Sequence, residues 1–251
     1  MSKITLHKSS YTSALVFLGL WQLASFFTSP VILPAPGVVL WGMGTYLTDS
    51  AFYADLGVTV FRGSAAYLLS AAAAMVLAFI IHYSKTFERI FYPYLLALQV
   101  IPRISWILLA MIWFPLNSQI VIFIILMTIL PVITINTLEG LKGIDGSLLE
   151  MARVFKIKKS KITTGIILPG ISSHVFSGLK VAMGITWKTV VMAELLTVQN
   201  GLGAEMAYAK TSFSTDRILS LTLMIVMIGL LFQKLLLGLE RHFERWKYNH
   251  G

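Results

Sequence analysis

The sequence contains no cysteine and few charged residues. Without thiols it cannot form disulfides, thiolate metal sites or a cysteine nucleophile. Only 12% of its 251 residues are charged, whereas 57% are hydrophobic. A mean hydropathy of +0.79 means more apolar surface than one soluble core of this size can bury. The composition therefore predicts an integral membrane protein.

Common enzyme motifs are also absent. There is no Gly, four residues, Gly-Lys-Ser/Thr pattern for nucleotide phosphates and no His-Glu-x-x-His pattern for zinc. The five histidines do not cluster at the spacing of metal ligands. We therefore predict no catalytic residue, no metal site and no cofactor bound by this chain, which does not hydrolyse ATP by itself.

Six apolar stretches approach or exceed the roughly 20 residues that a helix needs to cross a hydrocarbon core of about 30 Å. They lie at about residues 11–27, 64–83, 90–114, 119–138, 175–197 and 218–238. No convincing small-residue cleavage site follows the first stretch, so we interpret it as an anchor rather than a signal peptide. The sequence predicts an all-α polytopic membrane protein with six transmembrane helices and one domain, residues 1–251.

The segment 28–63 is too polar, and too often interrupted by Pro and Gly, to cross the membrane as one helix. We interpret it as an external turn followed by an interfacial helix.

The distribution of Lys and Arg predicts the orientation. With six spans, the loops on the side of the termini hold thirteen of these residues and the opposite loops hold three. The thirteen are Lys3, Lys8, Lys85, Arg89, Lys142, Arg153, Lys156, Lys158, Lys159, Lys161, Arg241, Arg245 and Lys247; the three are Arg62, Lys210 and Arg217. This bias places both termini in the cytoplasm. It also explains most of the net charge of +9 without nucleic acid binding.

A basic loop at about residues 139–170 has features of a docking element. Ser147 and Glu150 have the spacing of a capping box, which predicts a helix that starts after Ser147. Leu148, Ala152 and Phe155 follow at helical spacing and predict an apolar ridge. A second short helix would begin near Ser160 and stop near Pro169. A helix, turn and helix with such a ridge suits docking into a groove on another protein.

Simpler interpretations of the same lysines remain open. They are compatible with a topology signal alone or with contact to anionic lipid. Neither interpretation explains the capping box or the ridge.

The loop resembles the cytoplasmic "EAA" loop of permease subunits of binding-protein-dependent ABC importers. That pattern reads Glu-Ala-Ala, three residues, Gly, nine residues, Ile, one residue and Leu-Pro. Glu150 and Ala152 match its start, and Ile166, Leu168 and Pro169 match its end. Two positions depart from it: Met151 replaces the first Ala, and Lys156 stands where Gly is usual, in a turn that a non-Gly residue strains.

The resemblance extends over most of the chain and is closest to the nitrate, sulfonate and taurine type of permease. Three further segments resemble that type in order and spacing: "LPAPGVV" after the first span, "IPRISWILLAMIWF" in the third, and "WKTVVMAELL" with "GLG" at the end of the fifth. Pro115 departs from the Gly that is common after the Trp-Phe pair. The resemblance implies the type I ABC importer permease fold in the bacterial inner membrane.

The resemblance also implies partners. They are a cytoplasmic ABC ATPase dimer, which carries ATP and Mg, an extracytoplasmic substrate-binding protein and a second copy of the permease. Ser147, Leu148, Glu150, Ala152, Phe155 and Lys156 would then dock the ATPase, and Ile166, Leu168 and Pro169 would set the exit from the loop. Transport would proceed by alternating access, driven by the ATPase pair.

The fifth span carries a polar stripe. Polar, small and ionisable residues recur there at three- and four-residue steps and so share one helix face: Ser173, Ser177, Lys180, Gly184, Trp187, Val191 and Glu194. Ionisable groups inside a membrane usually face a bundle interior or a wet cavity. We therefore predict Lys180, Gly184, Trp187, Lys188 and Glu194 as translocation-pathway residues; alternatively, Lys180 snorkels toward the cytoplasm and Glu194 toward the outer surface.

Arg103 follows Pro102 in the middle of the third predicted span, where an unpaired charge is expensive. The charge of Arg103 would be compensated by Glu194 or by an anionic substrate, or it would be hydrated at an exposed position on a broken helix. We predict that Arg103 also lies on the pathway.

Together these features predict the permease of an ABC importer for a small solute of the nitrate, sulfonate, taurine, bicarbonate or aromatic vitamin precursor class. A stand-alone secondary carrier or channel, or a non-transporting membrane assembly subunit, are the alternatives. Carriers often show paired repeats with interrupted helices, and no convincing pair is evident in this sequence.

Overall fold

A computed structural model of the chain describes the backbone of residues 2–250 and the side chains of residues 12–244. All regular secondary structure in these residues is helical. In chain order the helices are α1 (Ser2–Phe26), α2 (Pro36–Tyr46), α3 (Ser50–Tyr83), α4 (Lys85–Val100), α5 (Arg103–Trp113), α6 (Ser118–Lys142), α7 (Gly146–Val154), α8 (Lys159–Ile162), a π segment (Thr163–Ile167), α9 (Leu168–Thr197), α10 (Leu202–Thr211) and α11 (Thr215–His250). The side chains of Lys3, Lys8, Arg245 and Lys247, on which the predicted orientation partly rests, lie outside the described ones.

Four helices are long and apolar enough to cross a membrane: Ser50–Tyr83, Ser118–Lys142, the continuous run Lys159–Thr197, and Thr215–Glu244. Helices α4 and α5 together would make a fifth span. The apolar part of α1, Thr12–Phe26, is shorter. The described residues therefore support a multi-pass membrane protein with four or five spans, and the sixth stays a prediction.

The third predicted span, 90–114, is not one straight helix. The axes of α4 and α5 meet at 101°, with the break at Ile101 and Pro102. Proline disfavours a helical conformation in the residue before it and lacks the N–H that the next turn needs. Ile101 accordingly has an extended backbone, with φ −61° and ψ 124°. The prediction of a single helix here was wrong because Pro102 divides the segment.

The second predicted span starts earlier than expected. Asp49 accepts a hydrogen bond from the Ala51 N–H and caps α3, which then runs without interruption to Tyr83. Residues 50–63, predicted to belong to the external segment, therefore continue the helix of this span. Only α2 remains as a separate short helix in that region, with Pro36 in its first turn.

Helices α3, α6 and α9 form the centre of the bundle. Small residues of α3, such as Ala66 and Ala74, pack against isoleucines of α6, such as Ile124 and Ile129. Val190 of α9 joins the same cluster. Small side chains let helix backbones approach closely, which is how membrane helices gain packing energy without a hydrophobic driving force between them.

Two glycines set the spacing between α6 and α9. A Cβ added at Gly178 would lie 2.8 Å from Cβ of Asn136, and one added at Gly140 would lie 2.9 Å from Cβ of His174. Any side chain at either position would push the two helices apart. The close approach holds α9 rigidly against the centre of the bundle.

Candidate functional site

The helix of the predicted docking loop begins with a different cap from the predicted one. The Asp145 carboxylate accepts a hydrogen bond from the Ser147 N–H at 2.9 Å, and α7 starts at Gly146. Hydrogen bonds from Ser147 to the carboxylate lower the pKa of Asp145. The capping box of Ser147 and Glu150 was therefore a wrong prediction, because the acidic residue two positions earlier takes the N-cap role.

The predicted ridge is divided between two faces of α7. Ala152 is fully buried, and Leu149 packs on a cluster that includes Leu141 and Ile171 of the bundle. Leu148 and Phe155 instead point outward. The prediction that Ala152 belongs to an exposed ridge was wrong, because Ala152 and Leu149, one turn apart, form the inward face.

The outward face of α7 and the turn that follows the helix form an exposed apolar surface that we call the α7 patch. Its members are Leu148, Met151, Val154, Phe155 and Ile157. The Phe155 side chain is 73% exposed. Glu150 and Arg153 are exposed beside these residues. An apolar face rimmed by charge is the arrangement expected of a surface that binds another protein.

Lys156 adopts the left-handed conformation that the pattern requires of its usual glycine. Its φ is 51°. The Ile157 N–H donates to the Ala152 carbonyl and the Lys156 N–H donates to the Arg153 carbonyl, both at 2.9 Å. These two bonds make a Schellman motif, which normally ends with glycine. The turn is thus kept without glycine, at a cost on the order of 1 kcal/mol.

The second arm does not stop at Pro169. Helix α8 has its N-cap at Lys158, not at Ser160, and leads through the π segment directly into α9. The Leu168 N–H bonds to the Thr163 carbonyl, five residues back. This wider turn relieves the clash between a proline ring and the carbonyl four residues earlier. Ile166, Leu168 and Pro169 therefore lie inside a continuous helix of 39 residues, Lys159–Thr197.

Helix α9 exposes a stripe that differs from the predicted one. Between residues 177 and 192, the exposed residues of α9 are Ser177, Val181, Lys188 and Met192. Two cavities flank this stripe. One, the Arg103 cavity, has a volume of about 360 Å³ and is lined by Gln99, Arg103, Trp106, Thr128, Val181 and Ile185, among others. The other, the Lys188 groove, lies between α9 and α11 and is lined by Gly184, Lys188, Gly229 and Gln233, among others.

Four of the predicted pathway residues line these cavities: Arg103, Gly184, Trp187 and Lys188. Arg103 is the first residue of α5, at the break after Pro102. Lys188 is exposed on α9. Neither basic side chain forms an ion pair with any side chain that the structure describes.

Two predicted pathway residues, Lys180 and Glu194, line neither cavity and take part in packing inside the bundle, as does the largely buried ring of Trp187. Lys180 forms an ion pair with Glu240 of α11 at 2.8 Å. Trp187 is 5% exposed; its ring lies near Gly63 and contacts Phe232. Glu194 is fully buried and pairs with Arg62 at 2.9 Å, so it is the partner of Arg62 and not of Arg103.

The Arg62 and Glu194 pair is the centre of a buried polar network. Arg62 also donates to the backbone and side-chain oxygens of Asn200 and to the Ser118 hydroxyl. Glu194 also accepts hydrogen bonds from Thr59 and from the Gly203 N–H. The network joins α3, α6 and α9 to the start of α10. With its donors and acceptors paired in this way, the buried charge pair is held in a fixed geometry.

Sequence reasoning assigned Arg62 to an external loop and missed this network. One signal was available, because a carboxylate inside a span needs a cation and Arg62 is one of three basic residues on that side of the predicted topology. Among the described side chains, no group of three or more His, Asp or Glu residues is placed to hold a metal ion.

Comparison with known proteins identifies the family of the chain. Residues 66–247 match the family described as "Binding-protein-dependent transport system inner membrane component". The chain is 24% identical to the Bacillus subtilis "Putative aliphatic sulfonates transport permease protein SsuC", with 94% of this chain and 86% of that protein covered. It is 27% identical to the Leptolyngbya laminosa "Nitrate import permease protein NrtB", with 88% of this chain and 81% of that protein covered.

Solved structures share the fold. One is a bacterial ABC transporter involved in the import of the acidic polysaccharide alginate; a chain of it matches with a TM-score of 0.66 and 15% identity, covering 95% of this chain and 99% of that one. Another is an amino acid ABC transporter with histidines, with a TM-score of 0.62, 15% identity and 82% and 97% coverage. The family match spans well over half of the sequence and confirms the predicted resemblance. The chain belongs to the family of binding-protein-dependent transport system inner membrane components, the permease subunits of ABC transporters.

Proposed function

We propose that this chain forms the translocation pathway of an ABC importer for a small anion and docks a cytoplasmic ABC ATPase through the α7 patch. The observation that carries the proposal is the joint placement of the patch and the pathway. Phe155 and its apolar neighbours are exposed on α7, and Ala152 and Leu149 anchor that helix to the bundle. After α7 the chain makes one turn and continues as the unbroken helix Lys159–Thr197, which carries the exposed stripe of α9.

The same arrangement supports the proposed partners. The ATPase pair, which carries ATP and Mg, binds two α7 patches, one from each of two permease copies. An extracytoplasmic substrate-binding protein delivers the solute on the opposite side. Mechanically, the transporter is a two-state assembly in which each partner binds one state more tightly than the other.

The membrane topology of this proposal has six spans, with α1 as the first and the bent pair of α4 and α5 as the third. Both termini and the α7 patch then lie in the cytoplasm, in agreement with the Lys and Arg bias. Pro102 places the bend of the third span beside the Arg103 cavity. Irregular backbone at membrane depth is tolerated where it lines a cavity.

Charge favours an anion as the solute. Arg103 lies beside the α9 stripe and Lys188 belongs to it. Neither has a carboxylate partner among the described side chains, whereas the embedded carboxylates Glu194 and Glu240 are already paired. The pathway surface therefore carries uncompensated positive charge in a medium that screens it weakly. Two relatives have names that refer to aliphatic sulfonates and nitrate, both of which are anions.

The docking step is tested by co-purification. The tagged chain is extracted from its native membranes in mild detergent, and the proteins that accompany it are identified. We expect a Walker-type ATPase with the wild type and its loss with Phe155→Asp, which places a charge on the patch. Phe213→Asp is the control, since Phe213 is a phenylalanine exposed to a similar degree, 79%, but lies between α10 and α11. Reproducible purification of well-folded wild type without an ATPase would contradict the proposal.

The pathway step is tested by uptake in proteoliposomes that contain the assembled transporter. Arg103→Leu removes one of the two uncompensated charges, and we expect uptake of the anion to fall at least tenfold with normal expression. Arg89→Leu is the control, because Arg89 is exposed near the start of α4, away from the cavity. Uptake unaffected by Arg103→Leu would remove Arg103 from the pathway.

A further inference from the structure

The Lys188 groove is a small-molecule-sized cavity on the side of the α9 stripe that faces α11. Its volume is about 420 Å³, within the range of roughly 300–1,000 Å³ that ligand sites span. Two of its lining positions, Gly184 and Gly229, have no side chain. A Cβ added at Gly184 would meet no atom within 4 Å. The groove is thus open because α9 has a glycine there.

The walls of the groove are apolar along most of their length. They are formed mainly by Val191, Met206, Ile225, Val226 and Leu230. A small inorganic oxyanion would fill only part of this volume and would gain nothing from such walls. An alkyl or aryl group would displace water from them, or take the place of lipid chains, and would pack against both helices.

Few polar side chains line the groove, and only one of them, Lys188, is charged. Lys188 lines the groove and has no carboxylate partner among the described side chains. The indole Nε1 of Trp187, a residue that is 5% exposed, is buried without a hydrogen-bond partner in the described part of the chain. Trp187 lines the groove as well, and a Cβ added at Gly229 would lie 3.5 Å from Cδ1, the ring atom bonded to Nε1. A buried N–H left unpaired is costly and marks a place for an acceptor.

From these features we propose that the Lys188 groove binds an organic anion during transport, with its acidic head group on Lys188 and its apolar tail along α9 and α11. This inference rests on the proposed transport function and narrows the solute from any small anion to one that carries an apolar group. It makes Lys188 and Gly184 specificity-determining residues. An aliphatic or aromatic sulfonate or carboxylate has this chemistry, and nitrate does not.

The depth of Lys188 argues against other occupants. Lys188 lies nine residues before the end of α9 at Thr197, or about 14 Å along the axis. In the proposed topology, with the end of α9 at the outer membrane surface, Lys188 is close to the middle of a hydrocarbon core of about 30 Å. A lipid phosphate stays at the membrane surface and does not reach it. A lipid tail in the groove would leave the ammonium group unpaired in an apolar medium, which is unfavourable.

The experiment measures binding to the full-length wild-type chain in lipid nanodiscs, by ligand-observed NMR titration. The probes are methanesulfonate, butanesulfonate and hexanesulfonate, with sodium nitrate and hexan-1-ol as comparisons. We expect the affinity to rise about fourfold for each methylene that enters the groove. Nitrate lacks the tail and hexan-1-ol lacks the charge, so both should bind at least tenfold more weakly than hexanesulfonate.

Variants locate the site. Gly184→Leu fills the groove and should abolish the dependence on chain length, and Lys188→Met should weaken hexanesulfonate roughly tenfold or more. Gly238→Leu is the matched control. Gly238 lies on α11 outside the groove, and a Cβ added there would also meet no atom within 4 Å. Each variant is first required to retain the size-exclusion profile of the wild type.

Several results would overturn the inference: affinity independent of chain length, equal binding of hexan-1-ol, equal binding of nitrate, or unchanged binding by Gly184→Leu. Co-purification of the ATPase, measured on the same preparations, reports the proposed transport function separately. An ATPase that is retained while the chain-length dependence is absent would overturn the groove alone. Loss of the ATPase partner from the wild type would overturn the proposed function itself.

Discussion

The carboxylate of Glu194 has no exposure to solvent, and its charged partner, Arg62, comes from a helix more than a hundred residues earlier in the chain. Thr59 and the Gly203 N–H complete its surroundings. A Cβ added at Gly203 would lie 2.6 Å from Cβ of Glu194, so only glycine fits there. Each residue of the network thus depends on the others being in place.

Removing one charge from this network should be strongly destabilising. Glu194→Ala leaves the Arg62 guanidinium buried without a counter-charge, which costs about 3–5 kcal/mol. We expect a clear fall in the thermal unfolding temperature of the detergent-solubilised chain, measured by intrinsic tryptophan fluorescence. The double variant Arg62→Met, Glu194→Leu should be less destabilised than either single variant, because it buries no lone charge.

The control for this prediction is an exposed ion pair. Glu88 pairs with Lys142 near the ends of α4 and α6, and the side chain of Lys142 is 43% exposed. Glu88→Gln should leave the unfolding temperature almost unchanged, since exposed pairs contribute little. Equal falls in the unfolding temperature for Glu88→Gln and Glu194→Ala would show that burial does not determine how strongly an ion pair stabilises this chain.

Lys156 carries backbone strain that can be removed. At a φ of 51°, glycine is favoured over any residue with a Cβ. Lys156→Gly should therefore stabilise the turn by about 1 kcal/mol and slow amide hydrogen exchange at the end of α7. Lys158→Gly is the control; Lys158 has φ −57° and ψ 137°, an unstrained conformation, so glycine there should bring no gain. Faster exchange in Lys156→Gly would contradict the strain.

The same turn shows what the sequence could predict about single residues. The spacing of the motif assigned Lys156 to the usual glycine position of the turn, and only the structure shows that Lys156 keeps a positive φ there. The spacing of Ser147 and Glu150 predicted the wrong cap, because Asp145 two residues earlier is also a good N-cap and a pattern of residue types does not rank them. Arg62 was missed because its partner is distant in sequence.

Among the helices, α7 offers a test of its cap. The Asp145 carboxylate holds the first turn through the Ser147 N–H. Asp145→Ala should speed amide exchange across Gly146–Val154, whereas Asp145→Asn should retain most of the protection, because Asn caps as well as Asp. Glu150→Ala should leave exchange unchanged, since the cap does not involve Glu150. Hydrogen exchange with mass spectrometry measures all three.

The cap also predicts a pH dependence. The pKa of Asp145 is lower in the folded chain than in the unfolded one, because hydrogen bonds from Ser147 stabilise its ionised form. The stability that it contributes is therefore fully present above the unfolded pKa, near 4, and is lost as the pH falls through the folded pKa. Protection of α7 should decrease over this acidic range in the wild type but not in Asp145→Asn. Identical acid profiles for the two would contradict this assignment.

Helix boundaries were predictable where local rules decide them and not where packing does. Runs of apolar residues located the helices of the long spans, α3, α6, α9 and α11, because hydrophobicity alone selects a helix in a membrane. Pro102 and Pro169 look alike in sequence, yet one bends the chain by 101° and the other lies in a continuous helix. The π segment before Pro169 allows the helix to continue through that proline, and no feature that we identified in the sequence predicted this segment.

At the scale of the whole molecule, the absence of cysteine gives a direct test of topology. One cysteine introduced at a time is the only thiol in the chain. Ser212→Cys lies between α10 and α11, and Ser160→Cys lies in α8; both positions are exposed. With a membrane-impermeant maleimide on spheroplasts, we expect Ser212→Cys to react at once and Ser160→Cys only after lysis. The reverse pattern would invert the proposed orientation.

The cavities could be predicted from the sequence only in part. Arg103 and Lys188 were selected because ionisable residues are unusual in a span, and Gly184 because it shares the helix face of the polar stripe; all three line cavities. Trp187 and Glu194 were selected on the same helix face but are buried. Helical periodicity defines a face without saying which neighbour covers it, so the exposed stripe could not be oriented before the packing of α9 on α6 was known.

The unbroken helix from Lys159 to Thr197 has a mechanical consequence. Its 39 residues correspond to about 58 Å, longer than the hydrocarbon core is thick. One end of the helix adjoins the turn at Lys156, and the other end carries Glu194. Between these ends, Gly178 packs closely against α6. Because these contacts fix α9 within its own bundle, the helix moves only as the whole bundle moves. In the proposed pair of permease copies, a small tilt of each bundle that draws the two long helices together on one side of the membrane therefore spreads them on the other.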